Sequence, residues 1–174
     1  LNQIILEKNI EKPGEILTML NKGVKFAFTQ DGEQEAQDGM DMILSVLDIK
    51  NGTLEYAAAN NPLLLIRDGG EIELMKADRT SIGGDTDLNY QFENHVIEIK
   101  PNDRFYMSSD GFPDQFGGEK GKKFMLKQYK QMIFDNYQKT MKEQEQIYQD
   151  KLLNWIGTQY EQIDDILVIG IKVG

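Results

Sequence analysis

Between Met42 and Asp110 the chain is a succession of short β-type runs, each ended by a turn signal, with no helical period among them. Met42-Ile43-Leu44-Ser45-Val46-Leu47-Asp48-Ile49 is followed by Asn51-Gly52, the strongest short hairpin signal, and by a returning run from Thr53 to Ala59. Leu63 to Arg67 and Glu71 to Met75 flank Asp68-Gly69-Gly70 as a second hairpin. After a looser loop with Ser81-Ile82-Gly83-Gly84, the stretch Phe92 to Ile99 alternates apolar Phe92, Val96 and Ile97 with charged neighbours. Pro101-Asn102-Asp103 then turns into the run Arg104 to Ser109, which ends at Asp110. This series predicts a meander of five or six antiparallel strands.

Helical periods lie on either side. After Pro13, a favoured first helical residue, Ile16, Leu17, Leu20, Val24, Ala27 and Phe28 recur at helical spacing, predicting an amphipathic helix over residues 13 to 29. Leu126, Tyr129, Ile133 and Tyr137 mark one later helix, and Met141, Tyr148, Leu152, Trp155 and Ile156 another. The near-continuous apolar run Ile166 to Ile171 predicts a last strand buried on both faces and central in its sheet. Helix, strands, two helices, strand is an α+β order, with too few alternating units for a parallel sheet. The 174 residues read as one domain, 1–174, without repeat or linker. Leu1 to Lys8 reads as a helix already in progress, so the expectation is a fragment of a longer protein. Gln30 to Gly39 is acidic and aperiodic, an exposed loop; a calcium loop starting at Asp31 would need glycine where Ala36 stands.

A formal charge of −10 opposes binding to nucleic acid or to anionic membrane surfaces. No cysteine means no disulfide, thiolate metal site or cysteine nucleophile, and agrees with a cytoplasmic location. No apolar run approaches the roughly 20 residues of a membrane span, so no membrane contact by this domain is expected.

The chemistry concentrates where two strands meet acids. Asp110 closes Arg104 to Ser109, and Asp164 opens Asp164-Asp165-Ile166-Leu167-Val168. If these strands pair antiparallel, both carboxylates sit on one edge of the sheet, where like charges favour a hard divalent cation between them. The same residues also read as an ordinary Asp-Gly turn and a polar strand boundary. His95, the single histidine, reads as a partly exposed strand residue. Lys120, Lys122, Lys123, Lys127 and Lys130 form the one basic cluster, either a solvated helix face or a patch that steers an acidic phosphoprotein. The Tyr148 and Trp155 stripe reads as helix packing.

Ser108-Ser109-Asp110-Gly111-Phe112-Pro113-Asp114 and Gln162-Ile163-Asp164-Asp165-Ile166, together with Ala59-Asn60-Asn61-Pro62-Leu63 and Gly83-Gly84, resemble the metal-dependent (PPM) protein phosphatases, in particular their SpoIIE-like bacterial branch. The resemblance spans essentially the whole chain. It implies a two-layer antiparallel β-sandwich flanked by helices, truncated at its N-terminal strands, and a serine/threonine phosphatase working through two Mn2+ or Mg2+ ions. It makes Asp110 and Asp164 metal ligands, Asp165 a neighbouring partner, and Gly111 the residue permitting the close turn. In the complete domain two such ions activate a water for in-line displacement.

Departures accompany these matches. The family's first metal motif, an aspartate followed by Gly-His-Gly, is not among the 174 residues, which predicts weak metal binding and little or no activity. Leu167 stands where many relatives have Thr, and Asn60-Asn61-Pro62 where others have Gly-His before Pro. The alternative is a pseudo-phosphatase module that binds a signalling partner without turnover. The partners so implied are a phosphorylated regulatory protein of the anti-sigma-factor-antagonist type and an upstream sensor domain. Missing opening strands further imply self-association as a homodimer.

Overall fold

The computed structural model describes residues 1–7, 10–30 and 38–174. A π-helical turn, Gln3–Glu7, precedes helix α1, Pro13–Gln30. Strands β1 (Gly39–Met40), β2 (Met42–Asp48), β3 (Thr53–Ala59), β4 (Leu64–Ile66), β5 (Ile72–Leu74), β6 (Ile82–Gly83), β7 (His95–Glu98) and β8 (Arg104–Ser108) follow. After them come α2 (Gly111–Asp114), β9 (Phe116–Gly117), β10 (Lys122–Lys123), α3 (Leu126–Asn136), α4 (Met141–Ile156) and β11 (Val168–Lys172). Most of the acidic stretch read as a loop, residues 31–37 with the rejected calcium positions, lies outside the described residues.

The chain divides into two compact units, Leu1–Leu63 with Met75–Lys100, and Leu64–Leu74 with Pro101–Gly174. In the first unit β2, β3 and β7 form an antiparallel sheet, and β1 pairs with β6. Asn51-Gly52 makes the β2–β3 turn as its sequence demands, with Gly52 at φ +64° and the Asp48 carboxylate accepting from the backbone N–H of Lys50 and Asn51. Leu17 of α1 packs with Ala57, Ala59, Ile82 and Phe92 to form this unit's apolar cluster. Gly14 lets the helix start close to the Phe92 segment: a Cβ there would lie 2.7 Å from the Phe92 carbonyl. Asn21, fully buried, donates to the Asp87 carbonyl and accepts from Gly83 N–H, so its burial leaves no polar atom stranded.

In the second unit the strand order is β11-β8-β4-β5, all antiparallel. Leu64, Ile66, Tyr106, Phe112, Phe124, Tyr129, Met132, Ile133 and Tyr148 form its core, which α3 and α4 cover. Tyr129, Ile133, Tyr137, Tyr148, Leu152 and Trp155 of the expected stripes supply or flank this face, whereas Leu126 is 40% exposed. Gln144, 2% exposed, accepts through Oε1 from the hydroxyls of both Tyr106 and Tyr148, joining α4 to β8 by hydrogen bonds as well as by packing. Thr140 and Glu143 form a capping box that starts α4. Asp103, 1% exposed, is paired with Arg67 at 2.8 Å, so the carboxylate buried where the chain turns into β8 has a partner.

The mixed helix and antiparallel-sheet class follows the sequence reading, but three details differ. The strands do not form one meander: β3 pairs onward with β7 and β4 with β8, because non-local partners win over the next strand in sequence. Among the described residues β11 pairs only with β8 and is an edge strand, with Leu167 and Ile169 at 57% and 40% exposure. An apolar run reports β-propensity without reporting how many neighbours the strand acquires. In β7, His95 and Ile97 are the half-buried positions and Val96 is exposed, the opposite phase to the one expected for Val96. No described helix is long and apolar enough to cross a membrane.

Candidate functional site

The register of β8 and β11 runs from Arg104 opposite Lys172 to Ser108 opposite Val168, so the end of one strand meets the start of the other. The contact continues past the ladder. Ser109 N–H donates to the Leu167 carbonyl at 3.0 Å, and its hydroxyl donates to the Asp165 carbonyl at 2.8 Å while accepting from Leu167 N–H at 3.0 Å. One serine thus stitches the segment carrying Asp110 to the segment carrying Asp164 and Asp165. Gly111 tightens the junction: a Cβ there would lie 2.5 Å from the Asp165 carbonyl oxygen, which explains glycine by close approach.

Asp110 is exposed at the start of α2, and its carboxylate makes no capping hydrogen bond to that one-turn helix. Asp164 is exposed as well, and its Oδ1 accepts from Asp165 N–H at 2.7 Å. Asp110, Gly111, Asp164 and Asp165 therefore lie on neighbouring segments at one end of the second unit's sheet. Carboxylate oxygens suit hard divalent ions in kind. Among the described residues, however, no three Asp, Glu or His side chains gather closely enough to hold an ion. Asp110 and Asp164 offer oxygen donors of the kind such ions take, two rather than three.

Sequence reasoning overlooked Gln115, which is fully buried directly after α2. Its Nε2 donates to the carbonyls of Glu161 (2.8 Å) and Phe116 (3.0 Å), and its Oε1 accepts from Ile163 N–H (3.4 Å). Its own carbonyl accepts from the Trp155 indole N–H at 3.0 Å. This one residue ties the turn after Asp110 to α4 and to the loop that delivers Asp164. A polar residue between Asp114 and Phe116 gives no periodic signal of burial, so only the partners reveal its role.

The other candidates resolve plainly. His95 stacks on Tyr56 with ring centroids 4.9 Å apart, in the first unit, as a strand residue. Trp155 packs edge-on to Phe124 and its carbonyl accepts from Gly118 N–H, so the aromatic stripe is packing. The Asn60-Asn61-Pro62 segment carries a polar cluster that was not anticipated: Asn60, at φ +58°, donates to Asp41 and Ser81, and Ser81 donates to Asp41 at 2.7 Å. Lys123 is paired with Asp114 at 2.9 Å. Burial pushes the Tyr129 hydroxyl up to about 12 and raises that of Tyr148 further, and both serve the core.

Among solved structures the chain is similar to the SiaA-PP2C domain of Pseudomonas aeruginosa, at 27% identity and a TM-score of 0.82, covering 97% of this chain and 63% of that one. It is similar also to the phosphatase domain of the cell fate determinant SpoIIE from Bacillus subtilis, manganese-presoaked (16% identity, TM-score 0.57, covering 97% and 68%). A third match is the catalytic domain of the serine/threonine protein phosphatase PstP in complex with two manganese ions (13% identity, TM-score 0.61, covering 88% and 67%). The chain thus spans about two thirds of the length of these domains. No curated protein matches it by sequence. Its fold is that of PP2C phosphatase domains. Residues 2–174 match the model of the stage II sporulation protein E family, SpoIIE, and the chain belongs to that family.

Proposed function

We propose that this domain serves the hydrolysis of phosphoserine or phosphothreonine on a regulatory protein, with Asp110 and Asp164 holding divalent metal. The observation that carries the reading is the Ser109 stitch, which supports bringing the two aspartate segments to a common edge. The two manganese ions of the PstP structure and the manganese presoak of the SpoIIE domain support a divalent ion, Mn2+ or Mg2+, here. Bound metal would supply an activated water and charge neutralisation for the phosphoryl group. The chain's own contribution is to hold its two carboxylates at the end of a rigid antiparallel pair, with Asp165 beside Asp164 and Gly111 allowing the approach.

Two carboxylates hold an ion less firmly than three, so residues 1–174 by themselves should hydrolyse slowly. A phosphoserine peptide assay with manganese tests this: rapid turnover by residues 1–174 overturns the weak-site reading, and turnover unaffected by Asp110→Asn overturns the assignment of the aspartates. The second reading, a binding module without turnover, is favoured by one observation, the lack of a three-donor cluster among the described residues. A switch of the anti-sigma-factor-antagonist type and an upstream sensor domain remain the partners this reading calls for.

A further inference from the structure

In the second unit, β9 and β10 form a small ribbon with Lys122 opposite Gly117 and Lys123 opposite Phe116. The ribbon is pressed onto α4. A Cβ at Gly117 would lie 2.0 Å from the Trp155 carbonyl oxygen, and one at Gly118, at φ +66°, would lie 2.8 Å from the Trp155 ring. Beside this ribbon is a cleft of about 490 Å³, walled by Trp155, Gly118, Met125 and Gln128 and rimmed by Lys120 and Lys122.

Two features set this cleft apart from ordinary surface. Its wall includes Met125, 56% exposed yet held at φ +73°, a conformation costly for any residue but glycine and fixed here by its N–H donating to the Pro113 carbonyl at 2.7 Å. Exposed methionine is an adaptable apolar contact, one that proteins use to bind varied partners. Its rim is cationic in a chain with 29 acidic against 19 basic residues. Lys123 is taken up by Asp114, whereas Lys120 and Lys122 are exposed and have no acidic partner among the described residues. Glu119 also lines the cleft and lowers its net charge without reversing it. A protein of this net charge repels an acidic partner on average, so a local cationic patch biases where such a partner lands.

We propose that this cleft docks an acidic segment of the partner protein, an apolar side chain entering against Trp155 and Met125 and carboxylates meeting Lys120 and Lys122. The proposal rests on the phosphatase reading only in taking that partner to be the phosphoprotein substrate. Docking is to the acidic segment, so it does not require the phosphate or the metal.

The single tryptophan of the chain lies in the wall and makes the site directly observable. The test uses a labelled peptide of Asp and Glu around one Leu and one phosphoserine, its unphosphorylated form, and a neutral peptide of equal length, all with a chelator present. Anisotropy reads binding and Trp155 emission reads location. Both acidic peptides should bind, shift the emission and weaken with added salt. Lys120→Glu combined with Lys122→Glu should weaken them by about tenfold or more, and the Ala pair by less, with circular dichroism unchanged. Asp110→Asn should leave docking intact even if it removes metal binding, so the two readings can fail separately. Equal binding of the neutral peptide, binding without an emission change, an indifferent charge-reversed pair, or binding that needs both phosphate and Asp110 would each overturn the docking site.

Discussion

The side-chain amide of Gln115 donates to the carbonyl of Glu161 at 2.8 Å, across 46 positions of sequence and with the glutamine fully buried. Together with the bond from Ile163 N–H, it holds the approach to Asp164 against the turn that follows Asp110. Gln115→Ala removes a fully buried side chain together with its bonds to the Glu161 carbonyl and the Ile163 N–H, which costs on the order of 1 kcal/mol for each bond lost. Urea denaturation should show that loss. Calorimetric manganese titration of the folded variant should show weaker binding, and an affinity equal to wild type would mean the clamp does not position Asp164.

Gly117→Ala tests the closest approach to a glycine among the described residues. With a Cβ 2.0 Å from the backbone oxygen of Trp155, no flexible side chain can give way, and either β9 or α4 must move. The expected loss is at least about 3 kcal/mol, the upper end of ordinary single substitutions, read as a fall in the thermal midpoint. Gly157→Ala, where a Cβ meets nothing within 4 Å but φ is +61°, should cost less, from backbone strain alone.

Ser109→Ala removes a hydroxyl that both donates to Asp165 and accepts from Leu167. The β8–β11 ladder itself stays intact, so stability should fall by only about 1 to 2 kcal/mol. Manganese affinity should fall more clearly, because the two aspartate segments lose their link. Amide exchange at Leu167 checks the first part, since its N–H loses its acceptor, and metal titration the second.

Alkaline pH should destabilise the protein through its buried tyrosines. Burial raises the hydroxyls of Tyr129, to about 12, and of Tyr148 above their ordinary value, so the folded state keeps them protonated. A group with a raised folded pKa contributes stability that is full below the unfolded value and lost as pH rises toward the folded one. The loss should therefore begin near pH 10, about the ordinary tyrosine value, and deepen toward 12. Tyrosinate absorbance should rise in step with the loss of circular dichroism for these two residues, and Tyr129→Phe should reduce the slope.

Thr140→Ala should remove about 1 kcal/mol by opening the α4 capping box, in which Thr140 accepts from Glu143 N–H and the Glu143 carboxylate accepts from Thr140 N–H. The Thr140 hydroxyl first, and its N–H second, donate to the Glu143 carboxylate and hold that carboxyl below the usual range, so their contribution is present above that range and lost as pH falls through the lowered value. The stability gap between wild type and variant should therefore narrow at acid pH without closing, since the bond from Glu143 N–H to the Thr140 hydroxyl does not titrate; thermal melts across the acid range check this.

What the residues determined by themselves was local. Asn51-Gly52 made its hairpin, Pro13 opened its helix, and the stripes around Tyr129 and Tyr148 became core, because turn chemistry and periodicity act over a few positions. The order of helices and strands likewise carried the α+β class, and the Asp110 and Asp164 motifs, read as a set, carried the family. Only the tertiary structure decided that β3 would choose β7 and β4 choose β8, that β11 would be an edge, and that Gln115 would be the buried clamp. Those outcomes depend on which strand edges and backbone carbonyls meet across tens of residues. The free energy of such meetings lies in shared burial and satisfied hydrogen bonds, and no local stretch of sequence contains both partners.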